Sequence, residues 1–160
     1  MKKSKEVEYR MYGLVPYNLS PIQQGIQFGH AVVEYAEKYF KTKEYRKWAT
    51  QDKTFIILNG GTTNKGKARI GGLLGEGSLN KSSRSLEYMG VKIAHFNEPD
   101  LQDALTAVVF LVPDYVWDKK TYPETSANIK HPSNWKEHVL AKEQRTIEFL
   151  RNYLEKFKLA

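Results

Sequence analysis

The chain of 160 residues has no cysteine, so neither disulfides nor thiolate metal sites hold it together. Its four histidines are scattered, none is paired at helical spacing, and no zinc site is expected from them. No apolar run approaches the roughly 18 residues that a membrane-spanning helix needs. No apolar stretch with a small-residue cleavage site follows the basic opening "MKKSKEVEYR", which argues against a signal peptide. Internal repeats are lacking too. These absences lead to the expectation of a cytoplasmic, globular chain with no metal, no cofactor and no membrane partner. Its chemistry must then rest on carboxylates, amides, hydroxyls, lysines or a lone imidazole.

What is present is ordinary in bulk and lopsided in charge. A hydrophobic content of 41% and a charged content of 27% suit one domain with its own core. The net charge of +7 favours a polyanionic partner, because Lys and Arg displace the counterions condensed on nucleic acid. The same charge also serves solubility. Ten Tyr, seven Phe and three Trp leave room for base stacking, although aromatics more often build cores.

Residues 8–15, "EYRMYGLV", alternate and stop before Pro16, which predicts a first strand. A helix is predicted from Ser20 to Phe40, then a short basic helix, "KEYRKWATQ", anchored by Trp48. "KTFIILNG" is a nearly continuous apolar run bounded by glycine, as in a strand covered on both faces. Residues 60–77 hold seven of the eleven glycines and read as a loop. "SLNKSSRSLEYMG" reads as a helix closed by a left-handed Gly90. "VKIAHF" and "LTAVVFLV" are two more strands, joined by "NEPDLQDA". After the aromatic loop "PDYVWDKKTYP" comes a helix from about Ser133 to Lys158, where Leu140, Ile147 and Leu154 recur by sevens beside Glu143, Leu150 and Phe157. The order of elements predicts an α/β fold, a mixed four-stranded sheet flanked by helices, over residues 1–113. Residues 114–160 would pack on that domain or on a partner subunit, and a homodimer or higher homo-oligomer is expected.

Three places carry candidate chemistry. The first helix opens "SPIQQGIQFGHAVVEYA", in which Ser20 at the N-cap, Pro21 and Gln23 form a capping box. Gly25 and Gly29, each costing about 1 kcal/mol relative to Ala, would let a backbone or ligand come close, and Ile22, Ile26 and Val33 would face the core. That leaves Gln27 and His30, on one polar stripe with Gln23 and Glu34, without a structural reason. Next, "GTTNKGKA", residues 61–68, is one residue from the phosphate-cradling pattern G-x-x-x-x-G-K-[ST], with Ala68 where the hydroxyl belongs. Lys65, Lys67 and Arg69 read instead as a basic grip on phosphates. Last, "FNEPDLQDALTA", residues 96–107, sets Glu98, Asp100 and Asp103 near Thr106. Such carboxylates position a water as general base or cap a turn.

In this order the segments resemble the type II peptidyl-tRNA hydrolases and the related small proteins of phage genomes. "IQFGHA" is similar to that family's A-A-Q-x-x-H-A. The S-P-x-x-Q start, Trp48 with "TFIIL", and the E-P-D and T-A of "FNEPDLQDALTAVVFLV" extend the likeness from about Tyr9 to Pro113. The resemblance implies a mixed four-stranded sheet and metal-free hydrolysis of the ester that joins a peptide to the tRNA 3′ end. It carries over Gln27, His30 and Thr106 as functional residues. Glu98 or Asp100 stands for the Asp of the family's D-A-G-x-T segment, and Gln23 stands where the family has Lys. Two other readings stay open: a catalytically inactive relative that binds RNA or sequesters a small nucleotide signal, and a plain interaction protein. The expected partner is tRNA or a small nucleotide ligand, held at Gln23, Lys65, Lys67 and Arg69.

Overall fold

Alternation along "YRMYGLVP" makes β1, Tyr9–Pro16, and its residues from Met11 onward are buried because both faces of the strand are covered. The capping box forms as the sequence requires: Gln23 N–H donates to Ser20 Oγ at 3.3 Å and Ser20 N–H donates to Gln23 Oε1 at 3.1 Å, starting α1, Pro21–Tyr39. A short α2, Lys43–Lys47, runs into a π-helical turn, Trp48–Asp52. That wider turn drops Trp48 into the core, where its indole N–H donates to the Thr54 carbonyl at 3.1 Å. The chain continues through β2 (Thr54–Gly61), α3 (Ser78–Tyr88), β3 (Ile93–Glu98), β4 (Ala104–Pro113), α4 (Asp114–Trp117) and α5 (Trp135–Tyr153). This computed structural model describes residues 6–63, 76–123 and 135–160, with side chains of the last segment from residue 142 onward.

The fold is α/β, with an open mixed four-stranded sheet in the order β2-β1-β4-β3. β1 and β2 are parallel neighbours, and β4 runs antiparallel to both β1 and β3. β3 and β4 therefore form a hairpin, turned by Pro99–Leu101 and by Gln102 and Asp103, both with left-handed backbone (φ 58° and 61°). β3 begins two residues later than "VKIAHF" suggested and runs on through Asn97 and Glu98.

Each face of the sheet has its own core. Under α1 lie Met11, Val15, Phe28, Ala31, Tyr35, Trp48 and Val109. The opposite core gathers Leu14, Leu58, Leu79, Leu86, Phe110 and Leu150. α5 belongs to that second core: Leu150 is buried, and Ile147, Leu154 and Phe157 pack around it. The described part of the seven-residue repeat thus covers the chain's own sheet, which removes it as an argument for a subunit interface. Leu140 lies outside the described side chains. Past α5 the chain returns to the outer edge of β2, where Asn59 N–H donates to the Lys158 carbonyl and Ala160 N–H to that of Ile57. Pairing of this kind occupies backbone groups that a free edge would leave exposed. Among the described residues no helix is long and apolar enough to cross a membrane.

α1 departs from expectation on its apolar residues. Ile22, Ile26 and Val33 face solvent, at 77%, 52% and 65% exposure, while Gln27, Phe28, Ala31 and Tyr35 are buried. The helix carries two apolar stripes, and periodicity does not say which one turns inward. Gly25 and Gly29 lie in the open, with no described atom within 4 Å of where a Cβ would stand, so no described backbone uses the approach they permit.

Leu150→Ala is expected to cost about 2–5 kcal/mol in urea unfolding and to leave the mass in light scattering equal to that of the parent chain. A fall in mass would instead place this face of α5 between subunits.

Candidate functional site

Plain alternation along β4 would send Thr106 to the side of Val108 and Phe110, into the second core. A bulge prevents this. Phe96 pairs with Ala107 and Asn97 with Leu105, so Thr106 is the residue left without a partner in the ladder. An unpaired extra residue re-aims the side chain, and Thr106 turns under α1.

There its hydroxyl, fully buried, donates to Gln27 Oε1 at 2.5 Å. Gln27, itself only 8% exposed, donates from Nε2 to Glu98 Oε2 at 2.6 Å. Glu98 takes a second donor on its other oxygen, the backbone N–H of Asp100 at 3.3 Å. The three side chains form a line of one polarity. The Glu98 carboxylate only accepts, so it fixes which end of the amide is N–H, and the amide oxygen is left to accept from the Thr106 hydroxyl, whose oxygen also lies 3.4 Å from the Phe96 carbonyl. Leaving one such buried group without its partner costs about 1–3 kcal/mol, so burial of Thr106 and Gln27 locks the orientation of all three.

His30 lies one turn further along α1, exposed, with its ring stacked on Phe96 at 4.5 Å between centroids and 19° between planes. Asp100 is exposed in the turn after β3, where its described part in the network is its backbone N–H. Gln23 is exposed, and its Oε1 accepts from both the backbone N–H and the hydroxyl of Ser20 at 3.1 Å. The sequence-predicted residues thus divide. Thr106, Gln27 and Glu98 are joined, His30 and Asp100 flank them, and Gln23 serves the helix cap. Lys65, Lys67 and Arg69 lie outside the described residues.

The turn after Glu98 is one wall of an open hollow of about 560 Å³. The other walls are Tyr17 and Asn18, which follow β1, and Thr62 and Thr63, which follow β2. The hollow therefore sits at the carboxyl ends of the two parallel strands, the end of an α/β sheet where ligands are generally bound. Thr62 and Thr63 fall inside the "GTTNKGKA" segment singled out by sequence for its basic residues, whereas Tyr17 and Asn18 were not named, although their position just past a predicted strand was available as a signal. Their placement is well fixed. Thr63 Oγ1 donates to the Leu105 carbonyl at 2.5 Å. Thr62 N–H donates to Ser78 Oγ at 2.9 Å, and Ser78 N–H returns to Thr62 Oγ1 at 3.1 Å. Gly61, at φ 83°, makes that exchange possible, because a Cβ there would stand 2.1 Å from Ser78 Oγ. Glu98, a carboxylate with two fixed donors, directly precedes the turn that walls this open hollow and is suited to hold a water or to accept its proton.

Comparison with protein-family models and with curated proteins finds no match to this chain.

Thr106→Val keeps the shape and removes the hydroxyl, and it is expected to destabilise the fold by about 1–3 kcal/mol. Thr106→Ser, which keeps the donor, should lose clearly less. Equal losses for the two in denaturant titration would mean that the methyl group matters and the hydrogen bond does not.

Proposed function

We propose that the chain is a peptidyl-tRNA hydrolase-like esterase, acting on the ester between a peptide and the 3′ end of tRNA. The observation that supports this reading is the hydrogen-bonded line from Thr106 through Gln27 to Glu98 beside the hollow. Glu98 is the base: it takes a proton from a water as that water attacks the ester carbonyl carbon. The same proton then goes to the departing ribose oxygen, leaving free tRNA and a peptide acid. Gln27 holds the carboxylate, and Thr106, which is too deeply buried to touch substrate, holds Gln27. Asn18 and Gln102 line the hollow and supply neutral donors for the developing oxyanion. His30 offers an exposed flat ring, backed by Phe96, on which a base of the acceptor end can stack.

A second reading follows from Gln23. Where the resembled family has a Lys, this chain has an amide occupied by the helix cap. No cation is among the described residues that line the hollow. A site without a cation stabilises an oxyanion less, and this favours an inactive relative that binds RNA or sequesters a small nucleotide.

Incubation with a peptidyl-tRNA analogue separates the two. Turnover should be seen and should fall about 100-fold or more in Glu98→Gln, with RNA affinity and melting temperature close to those of the parent. Saturable binding without turnover would replace the esterase by the sequestering reading, and turnover that survives Glu98→Gln would remove Glu98 as the base.

A further inference from the structure

The far end of the sheet holds a second cavity, of about 300 Å³. Tyr9 reaches it from the start of β1, Tyr35 from α1 and Tyr115 from α4, while Glu44 of α2 and Glu143 of α5 stand at its walls. Three phenol rings and two carboxylates around one volume are unexpected in a chain of net charge +7. Lys92 is the only Lys or Arg among the described residues lining it.

A third carboxylate lies just behind. Asp114, between the lining residues Pro113 and Tyr115, is 1% exposed. Its Oδ2 accepts the backbone N–H of Glu8 at 3.4 Å, and its Oδ1 has no partner among the described residues. The phenols respond to these surroundings. Burial, with help from Tyr115, Glu44, Asp114 and Asp52, pushes the Tyr9 phenol up to about 12. Burial and then Glu143, Asp114 and Glu44 raise that of Tyr115. Negative groups from separate elements therefore converge on one space, and its phenols stay neutral at neutral pH.

We propose that this cavity binds an organic cation of the amine class, a diamine or polyamine, with its ammonium groups at Glu44 and Glu143 and its methylene chain along Tyr9, Tyr35 and Tyr115. Aromatic rings attract cations through their faces, carboxylates make short charge-assisted hydrogen bonds to ammonium groups, and neutral phenols accept further N–H donors. Lys92 at the wall limits the number of charges the cavity takes. The proposal is independent of the esterase reading, since the two sites occupy opposite ends of the sheet.

Isothermal titration of the full chain with spermidine at neutral pH, against sodium chloride of matched ionic strength, tests it. One saturable site is expected, and Glu44→Gln with Glu143→Gln should weaken it at least about tenfold. Both glutamates are exposed, and circular dichroism checks that the double variant is folded. Tyr115→Phe, which keeps the ring, should weaken binding less. Equal affinity in the double variant, the same heat from sodium chloride, or no saturable binding at all would overturn the proposal.

Discussion

The geometry of the candidate site depends on one buried line of hydrogen bonds, from the Thr106 hydroxyl to the Gln27 amide to the Glu98 carboxylate. A polar group placed between a helix and a sheet is tolerated only when it is satisfied. Here each member satisfies the next, and the last ends in a carboxylate at the edge of solvent. Because Gln27 belongs to α1, Thr106 to β4 and Glu98 to β3, the same line fixes the rotation of the helix over the hairpin. It explains why α1 turns Gln27 inward with Phe28, Ala31 and Tyr35 and leaves Ile22, Ile26 and Val33 in solvent.

Two irregularities at the same end of the sheet make this possible. In β4 the bulge turns Thr106 to the helix face. In β2 the register skips Gly60 opposite Val15 and Pro16, and the strand ends on the left-handed Gly61, which lets Thr62 exchange hydrogen bonds with Ser78 at the start of α3. Both irregularities lie at the end of the sheet that carries the hollow, and Tyr17, Thr62 and Thr63 in its walls are held by hydrogen bonds to Gly61, Ser78 and Leu105. The opposite end of the sheet is built differently, from tyrosine rings and acidic side chains. Charge is thus distributed unevenly: a basic chain keeps carboxylates at the cavities at the two ends of its sheet.

Features coded within a few residues were legible in the sequence. The capping box of Ser20 and Gln23, the left-handed Gly90 and the anchoring Trp48 all stand as their local chemistry requires. So do the four strands and the mixed sheet, whose periods are strong. Features set by distant partners were not legible. The inward face of α1 was misassigned, because Ile22, Ile26 and Val33 are as apolar as the residues that displaced them. The bulge at Thr106 leaves no mark on alternation; the sequence shows Thr106 only as a hydroxyl at the start of a strand beside a carboxylate cluster, and the resemblance to a known family is what singles it out. Glu98 and Asp100 were equivalent candidates by sequence. Continuation of β3 through Glu98 gives that residue the side-chain bond to Gln27 and leaves Asp100 exposed in the turn.

The central claim is that Gln27 and Glu98 act as one unit, and a double-mutant cycle measures this most directly. Unfolding free energies of Gln27→Leu, Glu98→Ala and the pair should show a coupling of roughly 0.5–3 kcal/mol, the range found for residues that share a hydrogen-bond network. Additivity within about 0.3–0.5 kcal/mol, the behaviour of independent sites, would contradict the account.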